Sequence, residues 1–186
     1  MIDDSVLHCE CENLHHEKFN DISKNELVSK VSIDDVFSES YCVSIGLDEI
    51  DEEFDLTAHE TLLDLKGKMG IYGLWIQQTK CYDHDKYRMV CLYVGKGYAL
   101  KRIKQHIADK WPKEQLLYVT FYECENRIAK YIEQLCLDNY NFALNKEENT
   151  GTGFLTTAWE AQRVELGTHI HELADRLAAK RPEQFK

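Results

Sequence analysis

Two short runs of strand-forming residues, together with the segment that directly follows them, carry most of the information about the fold. The first run is GIYGLWI at residues 70–76, and the second is CLYVG at residues 91–95. Both contain aromatic and β-branched side chains, which favour strands. The segment KGYALKRIKQH, residues 96–106, comes next and places Arg102 and His106 four positions apart. In a helix this spacing puts the guanidinium and the imidazole on one face.

Further segments on both sides of these runs complete a small core. The polar residues 79–86 would join the first two strands as a hairpin, and LLYVTFY at residues 116–122 is a third strand candidate. A helix that follows the second strand would end at Pro112, and residues 126–139 carry apolar side chains at helical spacing. We therefore expect an α/β (α+β) fold with a small three-stranded antiparallel sheet flanked by helices.

The order and spacing of a few polar residues in this core resemble the GIY-YIG nuclease superfamily. The two halves of the family motif correspond to Gly70-Ile71-Tyr72 and Tyr93-Val94-Gly95. The polar residues that carry the resemblance follow in family order: Tyr72, Tyr93, Arg102, His106, Glu133 and Asn145. The similarity covers roughly residues 69–146 and leaves both ends of the chain unexplained.

The resemblance implies a metal-dependent endonuclease that hydrolyses phosphodiester bonds in DNA. It implies these catalytic residues: Tyr72, Tyr93, Arg102, His106 and Glu133. Glu133 would hold a Mg²⁺ (or Mn²⁺) ion. The residues expected to bind the substrate are Lys96, Lys101, Lys104 and Asn145.

These residue types suit the hydrolysis of a phosphodiester. The reaction requires an activated water, neutralised charge at the phosphate and assistance to the leaving oxygen. One carboxylate, Glu133, is enough for a magnesium ion whose other ligands are waters and phosphate oxygens. The planar fork of Arg102 can donate to two phosphate oxygens at once. Beside Arg102, Lys96 and a metal, a phenol would ionise below its ordinary pKa of about 10. We expect Tyr72 to be the base and Tyr93 to orient it.

The charge of the chain is distributed unevenly. The 186 residues carry a net charge of −11. Residues 1–69 hold 18 acidic and 5 basic side chains, whereas residues 70–186 hold 15 acidic and 17 basic ones. Residues 96–113 carry six basic side chains and one acidic side chain. Because phosphate contacts need only a local positive surface, the overall acidity does not exclude DNA as a partner.

We expect three parts along the chain. These are an acidic N-terminal extension (residues 1–68), a GIY-YIG-like domain (69–146) and a C-terminal helical extension (147–186) with a helix or helix pair over residues 156–180. The N-terminal part would form short helices packed on the domain. Its acidic run, residues 48–55, is either a solvated surface or a mimic of DNA that covers the basic groove and restrains the enzyme.

Composition also bounds the setting of the protein. Seven scattered cysteines predict reduced thiols in a cytoplasmic protein rather than a disulfide framework. The sequence has no run of about 18 or more apolar residues, so no membrane span is expected. One site per chain would cut a duplex either as a homodimer or by successive nicks. The alternative from another class is a catalytically silent regulator that binds nucleic acid or protein through the same fold.

Overall fold

The computed structural model describes residues 14–27, 31–45, 62–111 and 115–167. Within them five strands form one antiparallel sheet, in the order β1-β4-β2-β3-β5. The strands are β1 (Tyr41–Ile45), β2 (Met69–Cys81), β3 (Lys86–Tyr98), β4 (Leu117–Glu123) and β5 (Thr156–Glu160). The helices are α1 (Glu17–Glu26), α2 (Ala99–Lys110), α3 (Asn126–Asn139) and α4 (Ala161–Leu166), with a π-helical turn at Asp34–Ser38 and a 3₁₀ turn at Leu63–Leu65.

The α+β class is confirmed, but the predicted count of three strands is wrong. The three expected strands are β2, β3 and β4, and two more strands join their outer edges: β1 pairs with β4, and β5 pairs with β3. The sheet therefore includes residues on both sides of the range 69–146. The acidic run at residues 48–55 lies outside the described residues.

Strand β5 lies where the start of a helix was expected. Thr156 and Thr157 are β-branched and buried, and pairing with β3 gives their backbone groups hydrogen-bond partners. This tertiary pairing outweighs the local helical pattern. Helix α4 follows directly, and the rest of the expected helix, after residue 167, lies outside the described residues.

Both helices of the predicted core are confirmed. Helix α3 has the expected bounds, Asn126–Asn139, and α2 ends at Lys110. Trp111 then adopts an extended conformation with φ −77° and ψ 132°, as a residue before proline prefers. None of the helices in the described segments is long and apolar enough to cross a membrane. The cysteines of those segments are free thiols: Cys42, Cys81, Cys91, Cys124 and Cys136.

The sheet separates two apolar layers. The phenol face carries Tyr72 and Tyr93 and is covered by α2. The indole face carries Trp75 and Trp159 and is covered by α1, the π-helical turn and α3. Because neighbouring residues of a strand point to opposite sides, Ile71 belongs to the indole face and Tyr72 to the phenol face.

A bulge in β3 determines where Tyr93 points. Strands β2 and β3 form a hairpin closed by the four residues 82–85, a shorter connection than expected. Leu74 pairs with Tyr93 and Trp75 pairs with Cys91, so Leu92 is an extra residue in β3. Consequently Cys91 belongs to the indole face and Tyr93 to the phenol face, although regular alternation would put them on one side. The bulge brings Tyr93 onto the same face as Tyr72.

Candidate active site

Three aromatic rings meet between the central strands and α2, and we call them the ring cluster: Tyr72, Tyr93 and His106. Tyr93 Oη and His106 Nε2 are 2.9 Å apart and share a hydrogen bond, with the ring centroids 4.4 Å apart. The Tyr72 ring stacks beside Tyr93 at a centroid distance of 6.1 Å and lies equally far from His106. Tyr72 and Tyr93 are buried, and His106 is half-buried. The structure thus brings together three of the predicted catalytic residues.

Gly95 lies under this cluster and makes it possible. A Cβ atom at this position would be 2.6 Å from Tyr72 Oη and 2.8 Å from Tyr93 Cε1. Neither distance is tolerable between non-bonded atoms, so any larger residue would displace the phenols. The glycine of the second motif half is therefore required by packing.

His106 Nδ1 is buried without a hydrogen bond to the described residues. Tyr72 Oη is buried without a hydrogen bond of normal geometry to those residues, although Tyr93 and Arg102 are close enough to act on it. Buried polar atoms in native proteins nearly always have a partner, which can be a protein group, a water or a ligand. The ring cluster therefore has capacity to bind a further polar group.

Burial controls the protonation of the ring cluster. It raises the pKa of Tyr72 well above the ordinary value, although the charge of Arg102 acts in the opposite direction. Burial also raises the pKa of Tyr93. It lowers the pKa of His106 to about 4, and the charges of Lys110 and Arg102 add to this. Without a bound ligand or metal these shifts favour the neutral form of all three rings at neutral pH. The expected ionised phenol requires a metal ion beside Arg102 and Lys96.

Arg102 lies on α2 one turn before His106 and is exposed to solvent. A Cβ atom at Gly97 would lie 3.6 Å from Arg102 Cγ, so the side chain passes along the end of β3. Its charge acts to lower the pKa of Tyr72, of Tyr93 and of Glu133. Arg102 is therefore close to both the phenols and the carboxylate.

Glu133 reaches the site from the indole face, because it lies on α3. Its Oε2 atom is 3.7 Å from Lys96 Nζ, and the side chains of Lys96 and Glu133 are 28% and 21% exposed. Burial raises the pKa of Glu133, while Lys96 and Arg102 oppose the shift. Glu133 in turn acts to raise the pKa of Tyr93. The candidate site thus draws side chains from both faces at one end of the sheet.

Asn145 holds the strand segment between Tyr93 and Gly95. Its Nδ2 donates to the Val94 carbonyl at 2.9 Å, and the Val94 N–H donates to its Oδ1 at 3.0 Å. Strand β5 pairs only with residues 86–90 of β3, so the Asn145 amide takes the place of a neighbouring strand at Val94. Asn145 was expected to bind the substrate. In this structure its side-chain amide is hydrogen-bonded to the backbone of Val94.

Two of the expected substrate-binding lysines lie elsewhere on α2. Lys101 and Lys104 line a separate groove together with Lys66 and Tyr98. Sequence reasoning missed Lys110, whose Nζ lies 4.5 Å from the centroid of the Tyr93 ring. Lys110 follows His106 by four residues, so helical spacing was the signal that could have identified it.

The described residues contain no group of three or more histidine, cysteine, aspartate or glutamate side chains that could hold a metal ion. Glu133 is thus a single carboxylate beside two cations. No protein-family model matches the chain, and neither a curated protein nor a solved structure resembles it significantly. The function is therefore inferred from this geometry and from the motif.

Proposed function

We propose that this chain is a metal-dependent endonuclease that hydrolyses DNA phosphodiester bonds through a GIY-YIG-type site, and that it acts in the cytoplasm with its thiols reduced. One observation carries the proposal: the Tyr93–His106 hydrogen bond lies within reach of the charges of Arg102 and Glu133. Perturbed ionisable groups beside specific charge partners are typical of catalytic sites.

Arg102 and Lys96 would bind the scissile phosphate. Arg102 is exposed at the edge of the ring cluster, and its guanidinium can donate to two phosphate oxygens. Lys96 would supply a point charge from the neighbouring strand. Its present partner, Glu133 Oε2, is 3.7 Å away, a distance that leaves the ammonium able to form a shorter contact with phosphate.

The residues present fit a hard cation held by one carboxylate. Glu133 is partly buried and supplies oxygen, the donor that magnesium and manganese accept, while waters and phosphate oxygens would complete the shell. Tyr72 Oη, which is buried near Tyr93 and Arg102, adds a polar oxygen that a bound water could contact. Such an ion would neutralise phosphate charge and assist the leaving oxygen.

We assign the proton transfer to Tyr93 and His106. The neutral imidazole can accept a hydrogen bond at Nε2 from the Tyr93 hydroxyl, 2.9 Å away. A water aligned on Tyr93 would pass its proton through that hydroxyl to His106. Binding of an anionic phosphate nearby would raise the pKa of His106 and make it a better acceptor. This assignment exchanges the roles expected for the two tyrosines, with Tyr72 left to orient Tyr93.

The test is plasmid cleavage by the Glu133→Gln variant. With Mg²⁺ the wild-type protein should cut supercoiled plasmid, and EDTA should stop the cleavage. Glu133→Gln should lose at least about 100-fold in cleavage rate, because the carboxylate that would hold the metal ion is gone. Glu125→Gln removes an exposed acid just before α3 and serves as the matched control, with an unchanged rate. Undiminished cutting by Glu133→Gln would exclude the assignment.

Two observations favour a second candidate, a catalytically silent regulator. Glu133 already has Lys96 as a partner, and burial keeps both phenols protonated. This alternative would be established if the purified protein binds DNA in a gel-shift measurement but leaves plasmid intact at every Mg²⁺ and Mn²⁺ concentration.

A further inference from the structure

A groove separate from the ring cluster runs beside the start of α2. It has a volume of about 370 Å³ and is lined by Lys66, Gly67, Tyr98, Leu100, Lys101 and Lys104. Tyr98 directly precedes α2, and 61% of its surface is exposed. The groove is lined mainly by apolar atoms and is flanked by three lysines, so it combines an accessible aromatic ring with cations around it.

This combination of groups matches a particular kind of ligand. Lysine ammonium groups attract the phosphates of any nucleic acid and carry no information about its sequence. An exposed aromatic ring adds a surface on which a base can stack, but only when that base is not already stacked within a duplex. Stacking platforms with flanking cations are how proteins bind single strands.

The groove begins next to the candidate site. Arg102 follows Tyr98 by four residues, which is slightly more than one helical turn, or roughly 6 Å along the axis. Gly97 separates Tyr98 from Lys96 in β3, and Arg102 Cγ lies 3.6 Å from where a Gly97 Cβ atom would be. A strand whose phosphate contacts Arg102 therefore has a direct path over Gly97 to the Tyr98 ring.

We propose that this groove binds an unpaired stretch of the strand being cut, with one base stacked on Tyr98 and its phosphates on Lys66, Lys101 and Lys104. The inference extends the proposed nuclease function and names its substrate class: DNA with unpaired nucleotides next to the scissile bond. An acidic polypeptide would use the lysines but would gain little from the ring, so the ring distinguishes the two occupants.

Binding measured without hydrolysis tests the proposal. The full-length protein in EDTA is titrated into a fluorescein-labelled oligothymidylate or a duplex of the same length, and anisotropy gives the Kd. Tyr98→Ala should weaken binding of the single strand by roughly tenfold or more and change duplex binding little. Tyr98→Phe keeps the ring and should bind as the wild type does. Lys66→Gln should weaken the binding of both the single strand and the duplex and reduce the salt dependence of the Kd.

Phe154 provides a matched control, because it is also 61% exposed but is not among the residues that line the groove. Phe154→Ala should leave binding of the oligothymidylate unchanged. Equal binding of the single strand by Tyr98→Ala and the wild type would overturn the proposal, and so would equal losses in Tyr98→Ala and Phe154→Ala. Equal losses for single strand and duplex in Tyr98→Ala would exclude stacking as the cause.

The result does not depend on whether the protein cuts DNA. Plasmid cleavage by Glu133→Gln tests the nuclease, whereas the Kd in EDTA tests the groove, so either can fail while the other holds. If the protein cuts, a duplex with splayed unpaired ends should be cut faster than a blunt duplex, and Tyr98→Ala should remove the difference. Equal rates on both substrates in the wild type would contradict the substrate class.

Discussion

The two faces of the sheet bury aromatic side chains of similar size but surround them differently. On the indole face, the ring centroids of Trp75 and Trp159 are 5.2 Å apart, and Trp75 Nε1 donates a hydrogen bond to Thr120 Oγ1 at 2.8 Å. On the phenol face, the polar groups of Tyr72 and His106 are ionisable. The charge of Arg102 affects the pKa of both groups, and the charge of Lys110 affects the pKa of His106.

Burial has different consequences for the two kinds of side chain. A buried indole that donates to a hydroxyl only stabilises the fold. Burial and a neighbouring cation together set the pKa of a buried phenol or imidazole. The two effects oppose each other for the phenol and reinforce each other for the imidazole, so an added charge changes the protonation state. The end of the sheet where these rings meet Arg102, Lys96 and Glu133 is therefore the region that can respond to a bound phosphate or metal ion.

The largest expected effect comes from adding one methyl group to either face. Gly95→Ala places a Cβ atom 2.6 Å from Tyr72 Oη, and Gly73→Ala places one 2.4 Å from Trp75 Nε1. Overpacking should lower the free energy of unfolding by about 1–3 kcal/mol in both variants. Only Gly95→Ala displaces the phenols, so we expect it alone to lose about 100-fold in cleavage rate, since displacements of about 1 Å have such effects. Urea unfolding and plasmid cleavage measure the two quantities.

The two glycines thus separate packing from catalysis. If Gly73→Ala loses as much activity as Gly95→Ala at the same stability, then the phenol face has no special role. Gly95→Ala with the wild-type rate would mean that the positions of Tyr72 and Tyr93 do not matter for cleavage.

The sequence predicts the elements whose signal is local. Helix α3 has a continuous apolar stripe, and α2 is ended by the residue before Pro112, so both helices could be located from the sequence alone. Strands β1 and β5 have only five residues each and are defined by the edges that they pair with. Such pairing depends on contacts between residues far apart in the chain, which local patterns do not reveal.

The sequence also names the members of the ring cluster but not their state. Order and spacing suggest Tyr72, Tyr93 and His106, and the structure brings these side chains together. The bulge at Leu92, which turns Tyr93 to the phenol face, leaves no clear sequence signal. The direction of the phenol pKa shifts in the protein without ligands depends on burial, which the sequence alone does not reveal.

A smaller effect is expected at the edge of β3, where Asn145 replaces a strand partner. Asn145→Ala leaves the N–H and C=O groups of Val94 without their side-chain partner and should cost about 1–3 kcal/mol of stability. Because Val94 lies between Tyr93 and Gly95, the cleavage rate should also fall, by about tenfold. Thermal unfolding and plasmid cleavage are the measurements.

Asn149 offers a matched control for Asn145. It brackets the backbone of Phe142 in the same way, accepting from its N–H at 3.0 Å and donating to its C=O at 2.9 Å. Its contact with the Asn145 carbonyl is longer, 3.4 Å. Asn149→Ala should therefore lose similar stability but keep most of the cleavage rate. Parallel loss of rate in both variants would show that the loop matters as a whole and not through its hold on Val94.

The smallest expected effect is spectroscopic and concerns His106 in the protein without ligands. Burial and the charges of Lys110 and Arg102 lower its pKa to about 4, against the opposing charge of Asp109. The unfolded chain therefore binds more protons than the folded one between about pH 6.5 and pH 4. This contribution to stability is complete above the ordinary histidine pKa and is lost as the pH falls through the folded value. NMR titration of the imidazole should show a midpoint near 4.

Removing one charge from α2 sharpens this test. Lys110→Gln removes a cation that acts on His106, so its midpoint should rise by a fraction of a pH unit, while burial keeps it below the ordinary value. Lys104→Gln removes the same charge from the groove side of α2 and should leave the midpoint unchanged. A midpoint at the ordinary histidine value in the wild type would mean that the imidazole is solvated, and the phenol face would then resemble a surface rather than a site.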